Sequence, residues 1–248
     1  VLAFAATGDP SQLSVANPEL VKPEKVSSYE VGYRGKLNKT VVDLSIYYNK
    51  YEDFLANEAV ISPLFGKVDY SDGVVTIPYL GTVPTAIASL ATGDRVIYQT
   101  YTNSEVPVKS YGGSIGISTK LFNDFDLSGN YTYTKQDFDQ ARFPDFRTNF
   151  NTPEHKMKMS FGNTNLFENF GFNVAWRWSD TYFWQAAFGD GNIPAYHTLD
   201  AQINLRIPSI KSTFKVGATN LLGDEYFTAI GTGFIGSMYY ASLTINNL

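Results

Sequence analysis

Residues 155–179 read HKMKMSFGNTNLFENFGFNVAWRWS, which is two alternating segments joined by a short connection. In both segments large apolar side chains alternate with polar ones: Met157, Met159 and Phe161 with Lys156, Lys158 and Ser160, then Phe172, Val174, Trp176 and Trp178 with Asn173, Arg177 and Ser179. Alternation with a period of two predicts β-strands that have one apolar and one polar face. The stretch therefore predicts two adjacent antiparallel strands.

The same alternation runs along most of the chain and predicts nine strands, at residues 25–37, 40–53, 107–122, 125–139, 155–164, 170–182, 196–207, 212–222 and 238–247. These segments are about ten residues or longer, whereas strands of soluble proteins average about five to six. Aromatic residues stand near several strand ends, as at 47–51, 131, 133, 176, 178, 239 and 240. Long strands with aromatic ends favour a membrane β-barrel. A soluble antiparallel sandwich with one wet face is the alternative.

The composition narrows the class of protein. Aromatic residues make up 15% of the 248 residues and charged residues 17%, below the roughly 25% usual for soluble domains. The absence of cysteine excludes disulfides and thiolate metal sites. A net charge of −5 with scattered Lys and Arg excludes the basic surface of a nucleic-acid binder. No apolar run is long enough for a transmembrane helix.

The lengths of the connections orient the predicted strands. Short connections lie at residues 38–39, 123–124, 165–169 and 208–211, and long ones at 52–105, 141–153, 180–194 and 223–237. Outer-membrane barrels have short periplasmic turns and long extracellular loops. The first and last strands then both run toward the periplasm. Because bacterial barrels have even strand numbers, we expect further strands before residue 1, and residues 1–6 are predicted as the tip of one of them.

The charged side chains of the strands are predicted to face the interior of the barrel. An Arg or Lys that faced hydrocarbon at the midplane would cost about 2–4 kcal/mol. The alternation places five charged side chains on the polar side, namely Lys156, Lys158, Arg177, Asp200 and Arg206. We interpret them mainly as contacts to solvent or to a plug inside the barrel.

Several motifs resemble those of TonB-dependent outer-membrane receptors. NPELVKPEKVSSYEVGYRGKL at residues 17–37 is similar to the family's NPxLKPE…YExGY pattern, and VGATNLLGDEYF at residues 216–227 to VxNLFDKxY. Residues 101–138 resemble the family's pair of strands around a short periplasmic turn. MYYASLTINNL at residues 238–248 resembles the family's terminal strand. Two positions depart from the family pattern: Leu248 replaces an aromatic residue, and Ser114 stands where an acidic residue is usual.

The resemblance implies a fold and a function. The fold would be an all-β, transmembrane, antiparallel up-and-down β-barrel of 22 strands with a plugged interior. Residues 1–248 would form its C-terminal part, and the plug domain and N-terminal strands are expected outside this sequence. The expected function is TonB-dependent uptake of a scarce nutrient (a siderophore, glycan, peptide or cofactor) across the outer membrane of a Gram-negative bacterium. A passive porin, a barrel enzyme and a soluble β-sandwich binding module are the alternatives.

The best candidates for a binding site lie in the loop DTYFWQAAFGD at residues 180–190. Large side chains exposed on a loop often mark a contact surface. We therefore predict that substrate contacts Tyr182, Phe183, Trp184, Phe188 and Asp190, the alternative being that these rings anchor the loop at the membrane interface or pack on neighbouring loops. Deletion of residues 180–190 is expected to abolish ligand binding while the barrel still assembles. The Gly-rich segments at residues 189–192 and 231–237 are predicted as loop turns.

No catalytic residue, metal site or cofactor is predicted. His155 and His197 stand at loop-to-strand junctions, and no spacing supplies a third metal ligand. The pattern GxSxG of serine hydrolases does not occur. The expected partners are the TonB complex, acting through the plug, the nutrient and outer-membrane lipid. The long loop at residues 52–94 is predicted as a lid or as a docking surface for a surface lipoprotein.

Overall fold

A computed structural model describes residues 4, 7–16, 19–67, 71, 73–143, 146–186 and 189–245 of the chain. The chain divides into two compact units, one made of Ser27–Lys50, Lys109–Asp137 and Phe150–Leu248, the other of Val1–Val26, Tyr51–Val108 and Phe138–Asn149. None of the helices in the described ranges is both long and apolar enough to span a membrane. Residues 1–3, 5, 6 and 246–248, which include most of the predicted strand tip and Leu248, lie outside the described residues.

A nine-stranded antiparallel sheet dominates the first unit. Its strands are β1 (Lys25–Leu37), β2 (Thr40–Glu52), β7 (Val108–Lys120), β8 (Asp126–Asp137), β10 (His155–Phe167), β11 (Phe170–Ser179), β14 (Tyr196–Ile207), β15 (Ser212–Thr219) and β16 (Met238–Ile245). Numbers missing from this series belong to strands outside the sheet, and each strand of the sheet pairs with the next one named, in the order β1-β2-β7-β8-β10-β11-β14-β15-β16. All nine predicted strands are therefore confirmed, and β1 and β16 form the two edges of the sheet.

The two faces of the sheet differ in chemistry, as the alternation predicts. Met157 pairs with Trp178 and with Tyr131, and Met159 pairs with Trp176, so large apolar side chains line up across strands on what we call the apolar face. On the opposite, polar face, Lys158 pairs with Arg177. Many side chains of the apolar face are exposed, among them Ile46, Ile115, Ile117, Met159, Ile203 and Leu243. An exposed apolar surface of this extent needs a partner that is itself apolar.

Hydrogen bonds tie the strands together on the polar face. Ser45 Oγ and Ser114 Oγ lie 3.0 Å apart, Asn49 Nδ2 donates to Ser110 Oγ at 3.2 Å, and Tyr240 donates to Gln202 Oε1 at 2.9 Å. Tyr47 bonds to Thr134. The strand period turns both phenols to the polar face, so these two rings do not belong to the aromatic residues of the apolar face.

Tight turns join the strands at one end of the sheet. Asn38, Asn123 and Asn169 have positive φ values of 52°, 50° and 71°, a region that Asn enters more easily than most residues because its short polar side chain bonds locally. The turn between β10 and β11 is shorter than predicted, since β10 continues to Phe167. The predicted short and long connections thus lie at opposite ends of the strands. The sandwich alternative is wrong, because the nine strands form one continuous sheet.

The second unit shows that the predicted long loop at residues 52–105 is folded. β3 (Leu55–Pro63) pairs along its whole length with β6 (Arg95–Asn103) and, at Asn57 and Glu58, with β9 (Phe146–Arg147). β4 (Val74–Ile77) and β5 (Gly81–Pro84) form a hairpin, and α1 (Thr85–Thr92) follows it. Small side chains fill the core of this unit, namely Ala56, Ala59, Ala86 and Ala88, together with Phe4, Leu90 and Phe146.

Candidate functional site

The predicted binding loop contains a β-hairpin. β12 (Tyr182–Ala186) pairs with β13 (Gly189–Ile193), with Tyr182 opposite Ile193 and Trp184 opposite Gly191. The interpretation of residues 189–192 as a loop turn is therefore wrong. Gly189, Asp190 and Gly191 adopt strand geometry because their backbone pairs with β12, an interaction that their weak β-propensity does not reveal.

Tyr182 and Trp184 face the connection between β15 and β16. Tyr182 Oη donates to the carbonyl oxygen of Thr228 at 2.7 Å, and burial raises the pKa of this phenol, with a further contribution from Tyr196. The rings of Tyr182 and Trp184 lie 6.5 Å apart. Because side chains of paired strands share a face, Trp184 lies on the same side as Gly191, where Ile230 packs. For these two rings the structure favours packing against a neighbouring loop.

Phe183 and Asp190 take the opposite face of the hairpin. Phe183 is 52% exposed, and Asp190, at the start of β13, is exposed and accepts a hydrogen bond from the backbone N–H of Ala186 at 3.2 Å. Phe188 lies outside the described residues. Of the predicted contact residues, Phe183 and Asp190 are therefore those that the described hairpin presents to solvent. Contact with a substrate stays a prediction.

Asn151 fixes the hairpin to the chain before β10. Its Nδ2 donates to the carbonyl oxygen of Gln185 at 2.8 Å, and its Oδ1 accepts from the N–H of Gln185 at 2.7 Å. The Asn151 amide thus bonds to both the backbone N–H and the backbone C=O of Gln185, as a neighbouring strand would at the edge of β12. Sequence reasoning missed Asn151, because nothing in the chain pattern links it to a residue 34 positions away.

A second polar cluster supports the loop after β15. The Asp200 carboxylate bonds to the Arg177 guanidinium through one oxygen and accepts from the N–H of Asn220 through the other at 3.0 Å. Near this cluster, the rings of Tyr196 and Tyr226 stack with centroids 4.4 Å apart. Burial is the main cause that raises the pKa of Tyr226. Arg177 and Asp200 were predicted on the polar face, and the structure shows that they also hold the base of this loop.

The polar face carries a depression of about 480 Å³, whose lining includes Asn130, Lys158, Ser160, Arg177 and Asp200. Lys158 and Arg177 are direct cross-strand partners of like charge, and Asp200 offsets part of their repulsion. Lys158, Arg177 and Asp200 were predicted to share one face, and the register confirms this.

Each histidine stands near the start of a strand, His155 in β10 and His197 in β14. His155 begins β10, and its Nδ1 lies 2.6 Å from the hydroxyl of Tyr131. His197 Nε2 lies 3.9 Å from a carboxylate oxygen of Asp224. In the part of the chain that the structure describes, no three His, Asp or Glu side chains are grouped as metal ligands would be.

Comparisons with known proteins agree with this architecture. The family model described as TonB dependent receptor-like, beta-barrel matches residues 2–221. No curated protein sequence matches the chain at a significant level. Solved structures with a similar fold include the copper transporter OprC, at 14% identity and a TM-score of 0.58. The alignment covers 91% of this chain and 31% of OprC.

Two further similar structures are receptors. The siderophore receptor PirA from Acinetobacter baumannii has 16% identity and a TM-score of 0.58, with 90% of this chain and 32% of that one covered. The pyoverdine outer membrane receptor FpvA from Pseudomonas aeruginosa has 14% identity and a TM-score of 0.58, with 91% and 30% covered. The chain thus spans about a third of the length of these proteins. With its sheet, its two faces and the family match over most of its residues, the chain belongs to the TonB-dependent receptor β-barrels of the Gram-negative outer membrane.

Proposed function

We propose that this chain forms part of the barrel wall and several surface loops of an importer that takes up a scarce nutrient with energy from TonB. The two-faced sheet carries this proposal. Its apolar face is suited to lipid, and its polar face, with the hydrogen-bonded Ser45, Asn49 and Tyr240, is suited to a hydrated interior. A wall of this kind separates a polar path from the membrane.

We propose that the complete importer includes further strands and a plug. In the sheet that the structure describes, β1 and β16 are edge strands, and lipid does not tolerate an open edge, so we propose that strands outside residues 1–248 complete a 22-stranded barrel. A plug inside that barrel would contact the polar face and transmit force from the TonB complex. Residues 1–248 would then be its C-terminal part.

The substrate class that we propose first is a metal chelate of the siderophore type. The exposed Phe183 offers a ring for stacking on an aromatic chelator, and one of the similar structures is named as a siderophore receptor and another as a pyoverdine receptor. A glycan, a peptide or a cofactor would use the same ring. The folded connection between β2 and β7 exposes Leu64, Phe65 and Tyr79, which we propose as contacts for a surface lipoprotein.

Uptake measurements test the proposal. The complete receptor that carries this chain would be expressed in a Gram-negative host without siderophore receptors of its own, with TonB present or deleted. We expect accumulation of radioactive iron supplied as a ferric catecholate, and loss of accumulation without TonB. Equal accumulation with and without TonB would contradict active import and favour a porin. No accumulation of any ferric chelate, together with TonB-dependent uptake of a glycan or peptide, would reject the chelate class only.

A further inference from the structure

The apolar face contains a groove between β7, β8 and β10. Gly129 forms its floor, and the surrounding apolar side chains are Ile115, Ile117, Leu127, Tyr131, Met157 and Met159. The groove has a volume of about 250 Å³. The groove exists because Gly129 has no side chain, whereas its cross-strand partners Ile117 and Met159 have large ones. An added Cβ at Gly129 would find only ordinary contacts, 3.4 Å to the carbonyl oxygen of Lys158 and 3.7 Å to Met159 Cγ, so the space is not required by backbone packing.

An aromatic cluster lies directly above the groove, toward the end of the sheet that carries the long loops. The hydroxyl of Tyr131 bonds to Nδ1 of His155 at 2.6 Å, the rings of Tyr133 and His155 lie 5.1 Å apart, and those of Tyr111 and Tyr133 lie 6.4 Å apart. Such rings mark the boundary between hydrocarbon and headgroups. The groove therefore lies on the hydrocarbon side of that boundary.

Two lysines follow the aromatic cluster on the same face. Lys135 Nζ lies 3.2 Å from Glu154, and Lys109 Nζ lies 3.7 Å from Asp137. The two lysine side chains are 41% and 43% exposed, and an ammonium group has three N–H donors, more than one carboxylate oxygen uses. A phosphate at this height can accept the remaining donors.

An acyl chain is long enough to connect the two lysines with the groove. Six residues separate Gly129 from Lys135, which is about 20 Å along the strand. With a strand tilt of about 40°, this is about 15 Å along the membrane normal. An acyl chain whose phosphate lies at Lys135 would extend past the aromatic cluster and reach Gly129 on the hydrocarbon side of the boundary.

We propose that this groove, with Tyr133 and Lys135 above it, is a specific binding site for one phosphorylated lipid of the outer leaflet. One acyl chain lies on Gly129, the ring edges of the aromatic cluster pack along it, and Lys135 and Lys109 bond to the phosphate. The site lies outside the barrel and does not depend on which nutrient the interior carries.

Filling the groove tests the proposal. The complete receptor, purified in detergent, would be titrated with bisphosphorylated lipid A and the bound lipid counted by native mass spectrometry. We expect Gly129→Leu to weaken binding at least tenfold. Gly116→Leu is the matched control. Gly116 is the neighbour in the chain of Ile117, which pairs with Gly129, but it lies on the polar face. No atom lies closer than 3.7 Å to a Cβ added there. Binding by Gly116→Leu should equal that of the unaltered protein.

A second pair of variants tests the phosphate contact. Lys135→Gln should remove the preference for bisphosphorylated lipid A over the same lipid without phosphates, whereas Lys158→Gln on the polar face should retain it. Undiminished binding by Gly129→Leu, or equal losses in Gly129→Leu and Gly116→Leu, would overturn the groove as a lipid site. An unchanged phosphate preference in Lys135→Gln would overturn the assignment of the headgroup.

Discussion

At the scale of single residues, Phe183 and Trp184 show how neighbours in the chain acquire different roles. Hairpin pairing places Trp184 with Tyr182 on the side of the loop after β15, and Phe183 on the other side, 52% exposed. Tyr182 is further held by its bond to Thr228 at 2.7 Å. Deleting residues 180–190 would therefore disturb two loops at once. A single substitution at Phe183 separates ligand contact from loop packing.

Phe183→Ala is expected to weaken binding of the transported ligand by roughly tenfold, because truncation of an aromatic anchor costs more than about 1 kcal/mol. The measurement is ligand affinity of the complete receptor by fluorescence quenching or calorimetry. Phe122→Ala is the control, since Phe122 is equally apolar, is 76% exposed and lies at a short turn on the opposite end of the sheet. Equal affinity in both variants would remove Phe183 from the binding site.

At the scale of elements, the pairing of β7 with β8 depends on the missing side chain of Gly112. This residue pairs with Thr134, and the ring of Tyr47 from β2 lies across it to reach the Thr134 hydroxyl. An added Cβ would overlap the carbonyl oxygen of Tyr133 and lie 2.9 Å from Thr134 Cα and 3.0 Å from Tyr47 Cε1. Two of these three neighbours are backbone atoms, which cannot rotate away.

Gly112→Ala should therefore lower the free energy of unfolding of the receptor by about 1–3 kcal/mol, the usual cost of overpacking. Urea titration in detergent, followed by tryptophan fluorescence, measures this change. Gly116→Ala in the same strand should have little effect, because the nearest atom to its added Cβ is 3.7 Å away. If both variants unfold at the same urea concentration as the parent, the close contacts around Gly112 do not exclude a larger side chain there.

At the scale of the whole molecule, the two faces of the sheet determine which substitutions the membrane tolerates. Val174 and Asn173 are adjacent in the middle of β11, and Val174 pairs with Phe161 and Ala201 on the apolar face. Asn173 lies on the polar face, where its Nδ2 donates to Ser160 at 3.3 Å. A cation at these two positions would meet hydrocarbon in one case and a hydrated interior in the other.

Val174→Arg should destabilise the folded receptor by about 2–4 kcal/mol, whereas Asn173→Arg should change its stability little. The folded fraction after insertion into lipid vesicles, read from the shift of the folded band in unheated gel samples, distinguishes the two. Similar folding yields for both variants would contradict a lipid-facing surface at Val174.

The strands and their faces were predictable because a period of two is a local property of the chain. Residues 155–179 alone indicate both strands, and the left-handed geometry of Asn38 and Asn169 agrees with the short connections read from the sequence. The pairing of β3 with β6 was missed, because 31 residues separate these strands and small residues such as Ala56 and Ala59 form the core. The candidate site was found only as a segment, since alternation within residues 182–186 does not say which face meets a neighbouring loop.

The sequence by itself determined the nine strands, their direction and the side chains that share each face, since all of these follow from the extended backbone and from connection length. Only the tertiary structure decided that Asn151 holds β12, that Asp200 joins Arg177 to the base of the loop at Asn220, and that Gly129 opens a groove. These features depend on cross-strand register and on contacts between residues far apart in the chain. No local pattern records them, because a bond between distant residues forms only once the strands are paired.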